Sequence, residues 1–213
     1  MKVYTSAISP FGARVIIAAR AKGIALETLK LPPEWRTSAE IRAVNPIIKI
    51  PILIEDDGTA LPESETILRY LEDRFPEPTL LPATAEHRAQ MNLLIRITDL
   101  YVSTPMIRLF PHLAPDGRDA RVVEAEVAHW RTGLANLAWF MERPLDRPAG
   151  GLTLADCAMA PTFHLCGLIG RLLGLGDLLA PHGVIGDYCR QMEAHPVVGP
   201  VLADLTVAQA AMH

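Results

Sequence analysis

The sequence predicts an α/β N-terminal domain followed by an all-α helical-bundle C-terminal domain. Near the N-terminus, stretches in which polar and apolar residues alternate, as in a strand, are followed by stretches that repeat apolar residues at helical spacing, and this order recurs. Pro76, Pro78 and Pro82 then crowd one short stretch, which is typical of a linker. Beyond that stretch, only helical patterns follow. We therefore expect a first domain over residues 1–76, a linker over 77–85 and a helical domain over 86–213.

The first domain is expected to contain its elements in the order βαβαββα. Residues 2–6 alternate between polar and apolar side chains and predict a strand, and residues 24–31 alternate in the same way. Between them, a predicted helix over 10–23 has Pro10 at its first position and Gly23 at its end, the usual asymmetry of helix termini. This spacing fits a βαβ unit with parallel strands and a right-handed crossover.

The rest of the first domain predicts a weak helix, a hairpin and a clear helix. The weak helix falls within residues 31–46. Strands at 52–54 and 59–61 flank Asp57–Gly58, a dipeptide typical of tight hairpin turns. Residues 63–75 return to helical spacing. The apolar side of this helix comprises Ile67, Leu68, Leu71 and Phe75.

The second half predicts a bundle of helices. Their expected bounds are residues 86–110, 118–141, 153–173, 184–194 and 197–210. Thr153 and Asp156 have the spacing of a capping box, in which each side chain bonds a free backbone amide at the helix start. Such a cap stabilises a helix by about 1 kcal/mol. We therefore assign Asp156 a structural role and no part in catalysis.

Composition and charge exclude several classes of function. Hydrophobic residues make up 50% of the chain and charged residues 21%, which favours a folded core over disorder. The formal net charge of −4 argues against a general nucleic-acid-binding protein, which needs a basic surface. The apolar stretch over 163–180 is interrupted by His164, Arg171 and Asp177, so it is too polar to span a membrane. We expect neither nucleic acid nor membrane as a partner.

Metal and nucleotide sites are not expected either. Cys157, Cys166 and Cys189 lie far apart without a Cys-x-x-Cys pair, which favours buried, reduced thiols in a cytoplasmic protein. The 7 histidines show no His-Glu-x-x-His spacing. Neither a P-loop nor a dinucleotide-binding glycine series is present.

Three dipeptides in the first domain are candidate site elements: Ser9–Pro10, Ile50–Pro51 and Glu63–Ser64. Each also has a purely structural interpretation. Ser9 is a good N-cap ahead of a proline, and Glu63–Ser64 complements the dipole of a helix start. An X-Pro bond, in turn, is usually trans. The order and spacing of the three dipeptides are more specific than any one of them alone.

The stretch NPIIKIPILIEDDGTALPESETILRYLEDRFP, residues 45–76, closely resembles the glutathione-binding half of glutathione transferases. SPFGARV at 9–15 resembles the same family, and TLADCAMAP at 153–161 is similar to the capping box of its helical domain. The resemblance covers essentially the whole chain. It implies a thioredoxin-like N-terminal domain, glutathione as co-substrate and an apolar electrophile pocket between the domains. It also implies a homodimer.

The resemblance assigns glutathione-binding roles to several residues. If the Ile50–Pro51 bond is cis, the backbone of Ile50 is free to pair with the cysteinyl backbone of glutathione, like a short added strand. Ser64, at a helix N-terminus, is expected to bind the γ-glutamyl carboxylate through its hydroxyl and backbone amide. Glu63 would face the ligand's ammonium, and Lys49 its glycyl carboxylate. The remaining expected contacts are Phe11 and Arg36.

By the same resemblance, Ser9 is the catalytic residue and faces the glutathione thiol. A free thiol has a pKa of about 8.5, whereas the thiolate is the nucleophile. A hydroxyl that donates to sulfur at the positive end of a helix favours the thiolate and lowers that pKa. Ser9 can therefore cap the helix and activate the thiol together, as a donor and not as a nucleophile. Ser6 is the alternative donor, and Tyr4 is disfavoured.

The chain departs from some classes of the family. Serine instead of cysteine at position 9 argues against the thiol exchange of omega-like members. Residues 6–9 are Ser-Ala-Ile-Ser, whereas the zeta isomerases that the chain resembles carry a Ser-Ser-Cys-Ser stretch. This difference argues against maleylacetoacetate-type isomerisation. Tau members carry a basic residue at the position of Thr37, so Arg36 is the candidate substitute.

The expected function is a glutathione transferase that conjugates glutathione to small hydrophobic electrophiles, as in detoxification. Candidate residues of the electrophile pocket are Phe11, Tyr101, Met106, Phe110, His112 and Phe163. An apolar stripe at helical spacing is more often core than pocket. A glutathione-dependent lyase, dehalogenase or isomerase is the alternative enzyme on this scaffold. A non-catalytic carrier or interaction module also stays open.

Overall fold

A four-stranded mixed sheet forms the N-terminal part of the computed structural model, which describes residues 1–211. The strands are β1 (Lys2–Tyr4), β2 (Glu27–Leu29), β3 (Ile52–Ile54) and β4 (Ala60–Pro62), in the spatial order β2-β1-β3-β4. β1 pairs in parallel with β2 and antiparallel with β3, and β3 pairs antiparallel with β4. The predicted βαβ unit and the hairpin after it are therefore confirmed. β1 and β2 are shorter than their patterns predict.

Three helices accompany the sheet: α1 (Pro10–Ala21), α2 (Ala39–Val44) and α3 (Ser64–Arg74). α1 has Pro10 at its start, and Gly23 beyond its end has a φ of 66°, in the left-handed region that favours glycine. Gly58 has a φ of 86° in the β3–β4 hairpin, where the backbone carbonyl of Glu55 accepts its N–H. Glycine has no Cβ and adopts a positive φ without strain, so the two glycines predict both turn positions from the sequence.

The C-terminal part is helical. Its α-helices are α4 (Ala85–Ile97), α5 (Thr104–Arg108), α6 (Ala120–Met141), α7 (Leu154–Leu172), α8 (Gly183–Ala194) and α9 (Val198–Ala210). The predicted capping box is present at the start of α7, where Asp156 accepts the backbone N–H of Thr153 at 2.7 Å. Within residues 1–211, no helix combines the length and the apolar character needed to cross a bilayer. The linker at 77–85 stays a prediction.

The prediction of a single helix over residues 86–110 is wrong. A π-helical segment, Thr98–Ser103, separates α4 from α5, and the N–H of Thr104 bonds to the carbonyl of Asp99, five residues earlier. Pro105 explains the break, because it lacks the N–H that would bond the carbonyl of Tyr101 in a regular α-helix. A short 3-10 helix, Phe110–His112, follows α5.

The carbonyl of Tyr101 lies against Gly133 in the middle of α6. A Cβ built on Gly133 would lie 1.8 Å from this oxygen. Because the oxygen belongs to the backbone, it cannot move aside as the end of a flexible side chain could. The absence of a side chain at Gly133 is therefore required for the π-helical segment to pack on α6.

Gly133→Ala is expected to destabilise the protein by about 3 kcal/mol, because the added methyl group overpacks a backbone contact. Urea unfolding followed by circular dichroism measures the change. Gly150→Ala is the matched control, since a Cβ at Gly150 meets no heavy atom within 4 Å. Equal unfolding midpoints for the two variants would contradict the proposed contact.

One hydrophobic core extends through both parts of the chain. It includes buried residues of α1 and α3 together with buried residues of α4, α6 and α7. Cys157 and Cys166 are fully buried in it, and burial raises the pKa of both thiols. Burial also raises the pKa of the half-buried Cys189 to about 12. All three thiols are free and protonated at neutral pH, so none is a ready nucleophile.

Candidate glutathione site

Ser9 is the N-cap of α1. Its backbone is extended, with φ −83° and ψ 117°, and its Oγ accepts the N–H of Gly12 at 3.1 Å. Because the oxygen accepts this bond, the hydroxyl hydrogen is left to donate elsewhere. None of the side-chain hydrogen bonds found within residues 1–211 uses the Ser9 hydroxyl as a donor. The half-buried Ser9 can therefore donate to a ligand atom at the positive end of α1.

The loop before β3 presents the backbone of Ile50. The Ile50–Pro51 bond is cis, and neither the N–H nor the C=O of Ile50 has a partner within residues 1–211. Asn45, which is fully buried, holds this loop from inside. Its amide donates to the carbonyl of Lys49 at 2.9 Å and accepts the N–H of Ile47 at 3.0 Å. The loop is thus fixed by an internal side chain while the Ile50 backbone stays available to an extended ligand.

The N-terminus of α3 combines a hydroxyl with unsatisfied backbone amides. Ser64 is the first residue of α3 and is 8% exposed. Glu63 before it has a φ of 69°, which L-residues rarely adopt, and its exposed side chain makes no capping bond. Strained backbone of this kind is typical of positions that are held for a function. The hydroxyl and amides together suit a carboxylate.

The other polar residues considered for the site differ in whether their side chains are exposed or already hydrogen-bonded. Lys49 is exposed on the Ile50 loop, and Arg36 is exposed between β2 and α2, with its guanidinium 4.6 Å from the ring of Trp35. The Tyr4 hydroxyl donates to Glu40 at 2.7 Å, and this bond raises the Tyr4 pKa, so Tyr4 is occupied. Residues 1–211 contain no cluster of three or more His, Cys, Asp or Glu side chains arranged to hold a metal ion.

Comparison with known proteins identifies the family. Residues 3–79 match the family model of the glutathione S-transferase N-terminal domain. The chain is 40% identical to a Zea mays protein described as probable glutathione S-transferase BZ2, over 96% of this chain and 91% of the relative. The chain belongs to the glutathione S-transferase family. A second relative, maleylacetoacetate isomerase of Pseudomonas aeruginosa, is 28% identical over 94% of this chain and 98% of the relative.

Solved structures confirm the thioredoxin-like plus helical architecture of a glutathione S-transferase. Glutathione S-transferase 1-6 from Anopheles dirus species B superposes with a TM-score of 0.79 and covers 100% of both chains. Its sequence identity with this chain is 22%, so this likeness supports the fold alone.

A buried arginine joins the two parts of the chain. Arg14 of α1 is fully buried, and its guanidinium lies 2.6 Å from Asp99 and donates to the Thr162 hydroxyl at 3.0 Å. The same guanidinium lies 4.6 Å from the centre of the Phe11 ring. Arg14 thereby links the first turn of α1, beside Ser9, to the π-helical segment and α7. Sequence analysis missed this link, although an arginine on the apolar face of a helix indicates a buried partner.

Glu65 adds a second ionic contact beside Ser64. It is partly buried, and its carboxylate accepts the guanidinium of Arg69 at 2.9 Å. Burial raises the Glu65 pKa, and the bond from Arg69 opposes that shift. Sequence analysis also missed Glu65, because the Glu–Arg spacing alone is an ordinary helix-surface pair.

The predicted electrophile-pocket residues fall into two groups. Tyr101 and Phe110 expose 56% and 42% of their surface, and Phe11 and His112 are partly exposed. Met106 and Phe163, in contrast, are each 1% exposed and belong to the core. Phe163 makes an edge contact with the ring of Tyr188, 5.7 Å between centroids. A pocket role stays a prediction for all six residues. The four residues outside the core expose the surface that such a role needs, whereas Met106 and Phe163 do not.

Proposed function

We propose that this protein is a glutathione transferase that joins the glutathione thiolate to small hydrophobic electrophiles. The observation that carries the proposal is the Ser9 hydroxyl, which accepts the Gly12 N–H and keeps its own hydrogen for a ligand. A thiol placed at this hydrogen loses its proton more readily, because the donor and the positive helix end stabilise the anion. Ser9 acts through a hydrogen bond and forms no covalent bond.

The remaining polar groups fit the charges of glutathione. The Ile50 backbone can pair with the cysteinyl residue, and the Ser64 hydroxyl with the α3 amides can bind the γ-glutamyl carboxylate. Lys49 and Arg36 supply exposed cations for the glycyl carboxylate, and Glu63 supplies an anion for the ammonium. Binding in this way places the sulfur beside the Ser9 hydroxyl and close to a bound electrophile, which accelerates the reaction by proximity.

Conjugation to 1-chloro-2,4-dinitrobenzene tests the proposal. The thiolate forms a carbon–sulfur bond, chloride leaves, and the product carries the mass of glutathione. We expect enzyme-dependent formation of this product, read by mass spectrometry and by absorbance. Glutathione binding without turnover of this or any other electrophile in a panel would favour the non-catalytic carrier.

A glutathione-dependent isomerase is the second candidate. The likeness to maleylacetoacetate isomerase of Pseudomonas aeruginosa over 98% of that relative favours it. An isomerase adds glutathione to a cis double bond, allows rotation and releases glutathione again, so the product mass equals the substrate mass. Incubation with maleylacetoacetate and glutathione therefore separates the two candidates, because a conjugate gains mass and an isomer does not.

Ser64→Ala is expected to weaken glutathione binding by a factor of about 10 to 100, because one hydrogen bond to a charged carboxylate is lost. Isothermal titration calorimetry with glutathione measures the effect. Thr66→Ala is the matched control, since Thr66 is exposed two residues further along α3. Equal affinities for the two variants would remove Ser64 from the binding site.

A homodimer and a cytoplasmic location belong to the same proposal. Both follow from the resemblance to the family. Light scattering at several protein concentrations tests the dimer, and a constant mass of one chain would exclude it.

A further inference from the structure

Arg14 is a buried cation beside the first turn of α1. Its side chain is 0% exposed, and it lies five positions after Ser9, the N-cap of the same helix. Five residues of an α-helix span about 7.5 Å, and helical side chains tilt toward the N-terminus of their helix. The Arg14 guanidinium accordingly lies 4.6 Å from the ring centre of Phe11, in that first turn. The charge of Arg14 is therefore close to the end of α1 where Ser9 lies.

The two polar partners of Arg14 differ in charge. Nη1 of Arg14 lies 2.6 Å from Oδ1 of Asp99 in the π-helical segment, and Nη2 donates to the Thr162 hydroxyl of α7 at 3.0 Å. The Thr162 hydroxyl donates in turn to the carbonyl of Ala158 at 2.9 Å, so it fixes the guanidinium without adding charge. Asp99 is thus the counter-ion of Arg14.

Asp99 balances the charge of Arg14 only in part. Its side chain is 25% exposed, whereas that of Arg14 is fully buried. Water screens an exposed charge more strongly than a buried one. The cation is also carried by α1 itself, whereas the anion belongs to the π-helical segment. The cation therefore dominates the electrostatic potential at the first turn of α1.

The other charged groups packed near α1 already have partners or lie at its far end. Glu65 of α3 forms an ion pair with Arg69 at 2.9 Å. Burial raises the pKa of Glu65, and the two charges of the Arg14–Asp99 pair act on that pKa in opposite directions. Arg20 and Asp204 of α9 form an exposed pair at 3.5 Å near the C-terminal end of α1. None of these groups supplies a cation to the first turn.

We propose that Arg14 and Asp99 form an electrostatic pair that determines how strongly the first turn of α1 stabilises the glutathione thiolate. Arg14 favours the anion and Asp99 opposes it, and neither touches the sulfur. The inference rests on the proposed function and adds a charge effect to the hydrogen bond from Ser9. Because Asp99 lies in the π-helical segment, the helical part of the chain then affects the chemistry of the first part.

Two single variants with opposite changes of charge test the pair. Asp99→Asn is expected to lower the thiol pKa of bound glutathione by about 1 pH unit, because the buried cation loses its counter-ion. Arg14→Met is expected to raise that pKa by about 1 pH unit, because the anion is left alone. A thiolate absorbance titration of the full chain with bound glutathione measures both shifts. Shifts of the same sign, or no shifts, overturn the inference.

Two further variants separate charge from packing. Thr162→Val removes a hydrogen bond to Arg14 without changing any charge, and is expected to leave the thiol pKa unchanged. Arg14→Lys keeps the cation and is expected to shift the pKa by less than half as much as Arg14→Met. If Arg14→Met does not fold, the comparison of Asp99→Asn with Thr162→Val decides. Equal thiol pKa values in these two variants overturn the inference.

The same charge change in a variant without the Ser9 hydroxyl excludes an indirect effect through Ser9. In the Ser9→Gly background, Asp99→Asn is still expected to lower the thiol pKa by about 1 pH unit, because a charge acts on the sulfur directly. Loss of the shift in this background would mean that the pair only orients Ser9, and it would overturn the proposed charge effect.

The unmodified chain distinguishes failure of this inference from failure of the proposed function. If glutathione does not bind, or binds with the thiol pKa of free glutathione, both fall. If the thiol pKa is lowered on binding but neither charge variant changes it, the electrostatic pair falls and the Ser9 donor stays in place.

Discussion

Replacing Ser9 with alanine is expected to slow glutathione conjugation by a factor of about 100 and to leave glutathione affinity nearly unchanged, as for loss of one preorganised donor to a developing anion. The physical reason is the direction of the Ser9 bonds. The oxygen accepts the Gly12 N–H at 3.1 Å, so the hydrogen is free for the glutathione sulfur. Stopped-flow or steady-state conjugation rates measure the change.

The pH dependence of the same variant shows whether the thiolate is the cause. A donor to sulfur lowers the thiol pKa, so its removal raises the pKa of bound glutathione, by about 2 pH units for a hundredfold effect. The variant is therefore expected to lose rate at neutral pH and to recover it as the pH rises above the new pKa. A thiolate absorbance titration of the binary complex measures the shift directly.

Two further variants separate catalysis from helix capping. Glycine replaces a serine N-cap at a cost of only a few tenths of a kcal/mol, whereas alanine costs about 1 kcal/mol. Ser9→Gly should therefore fold better than Ser9→Ala and show the same loss of rate. Ser6→Ala, which removes the alternative donor, should keep the normal rate. Normal activity in Ser9→Gly would reduce Ser9 to a helix cap.

Lys22→Met is expected to destabilise the protein by about 3 to 5 kcal/mol, because it leaves the buried carboxylate of Glu72 without its cation. The side chains of Lys22 and Glu72 are 0% and 4% exposed, and Nζ lies 2.7 Å from Oε2. Lys22 also donates to the carbonyl of Pro78 at 2.8 Å, and Glu72 accepts the N–H of Leu80 at 3.1 Å. The pair therefore ties α1, α3 and the segment before α4 together.

Chemical unfolding of two more variants isolates this effect. Lys22→Met/Glu72→Met is expected to be more stable than Lys22→Met alone, because no uncompensated charge stays buried. Lys2→Met breaks the ion pair of Lys2 and Glu27, whose side chains are 50% and 61% exposed respectively. This variant is expected to change the free energy of unfolding little, because an exposed pair contributes little to stability. A Lys22→Met protein as stable as the Lys2→Met protein would show that the buried pair contributes nothing.

Local sequence signals predicted most of the secondary-structure elements. Ser9–Pro10, Asp57–Gly58 and the Thr153 capping box each act over a few residues, so the chain itself encodes them. The assignment of Ser9, Ile50 and Ser64 to a glutathione site comes from the resemblance to the family and stays a prediction. The sequence could not separate core aromatic residues from exposed ones, since the buried Phe163 and the exposed Tyr101 both fall in apolar stretches at helical spacing.

The sequence by itself determined where most of the helices begin and which residues cap α1 and α7, because periodicity and capping are local properties of the chain. Only the tertiary structure decided that Arg14 meets Thr162, 148 positions away, and that Tyr101 meets Gly133. These partners depend on how helices pack against each other, and a pairing between distant residues leaves no pattern in either segment alone.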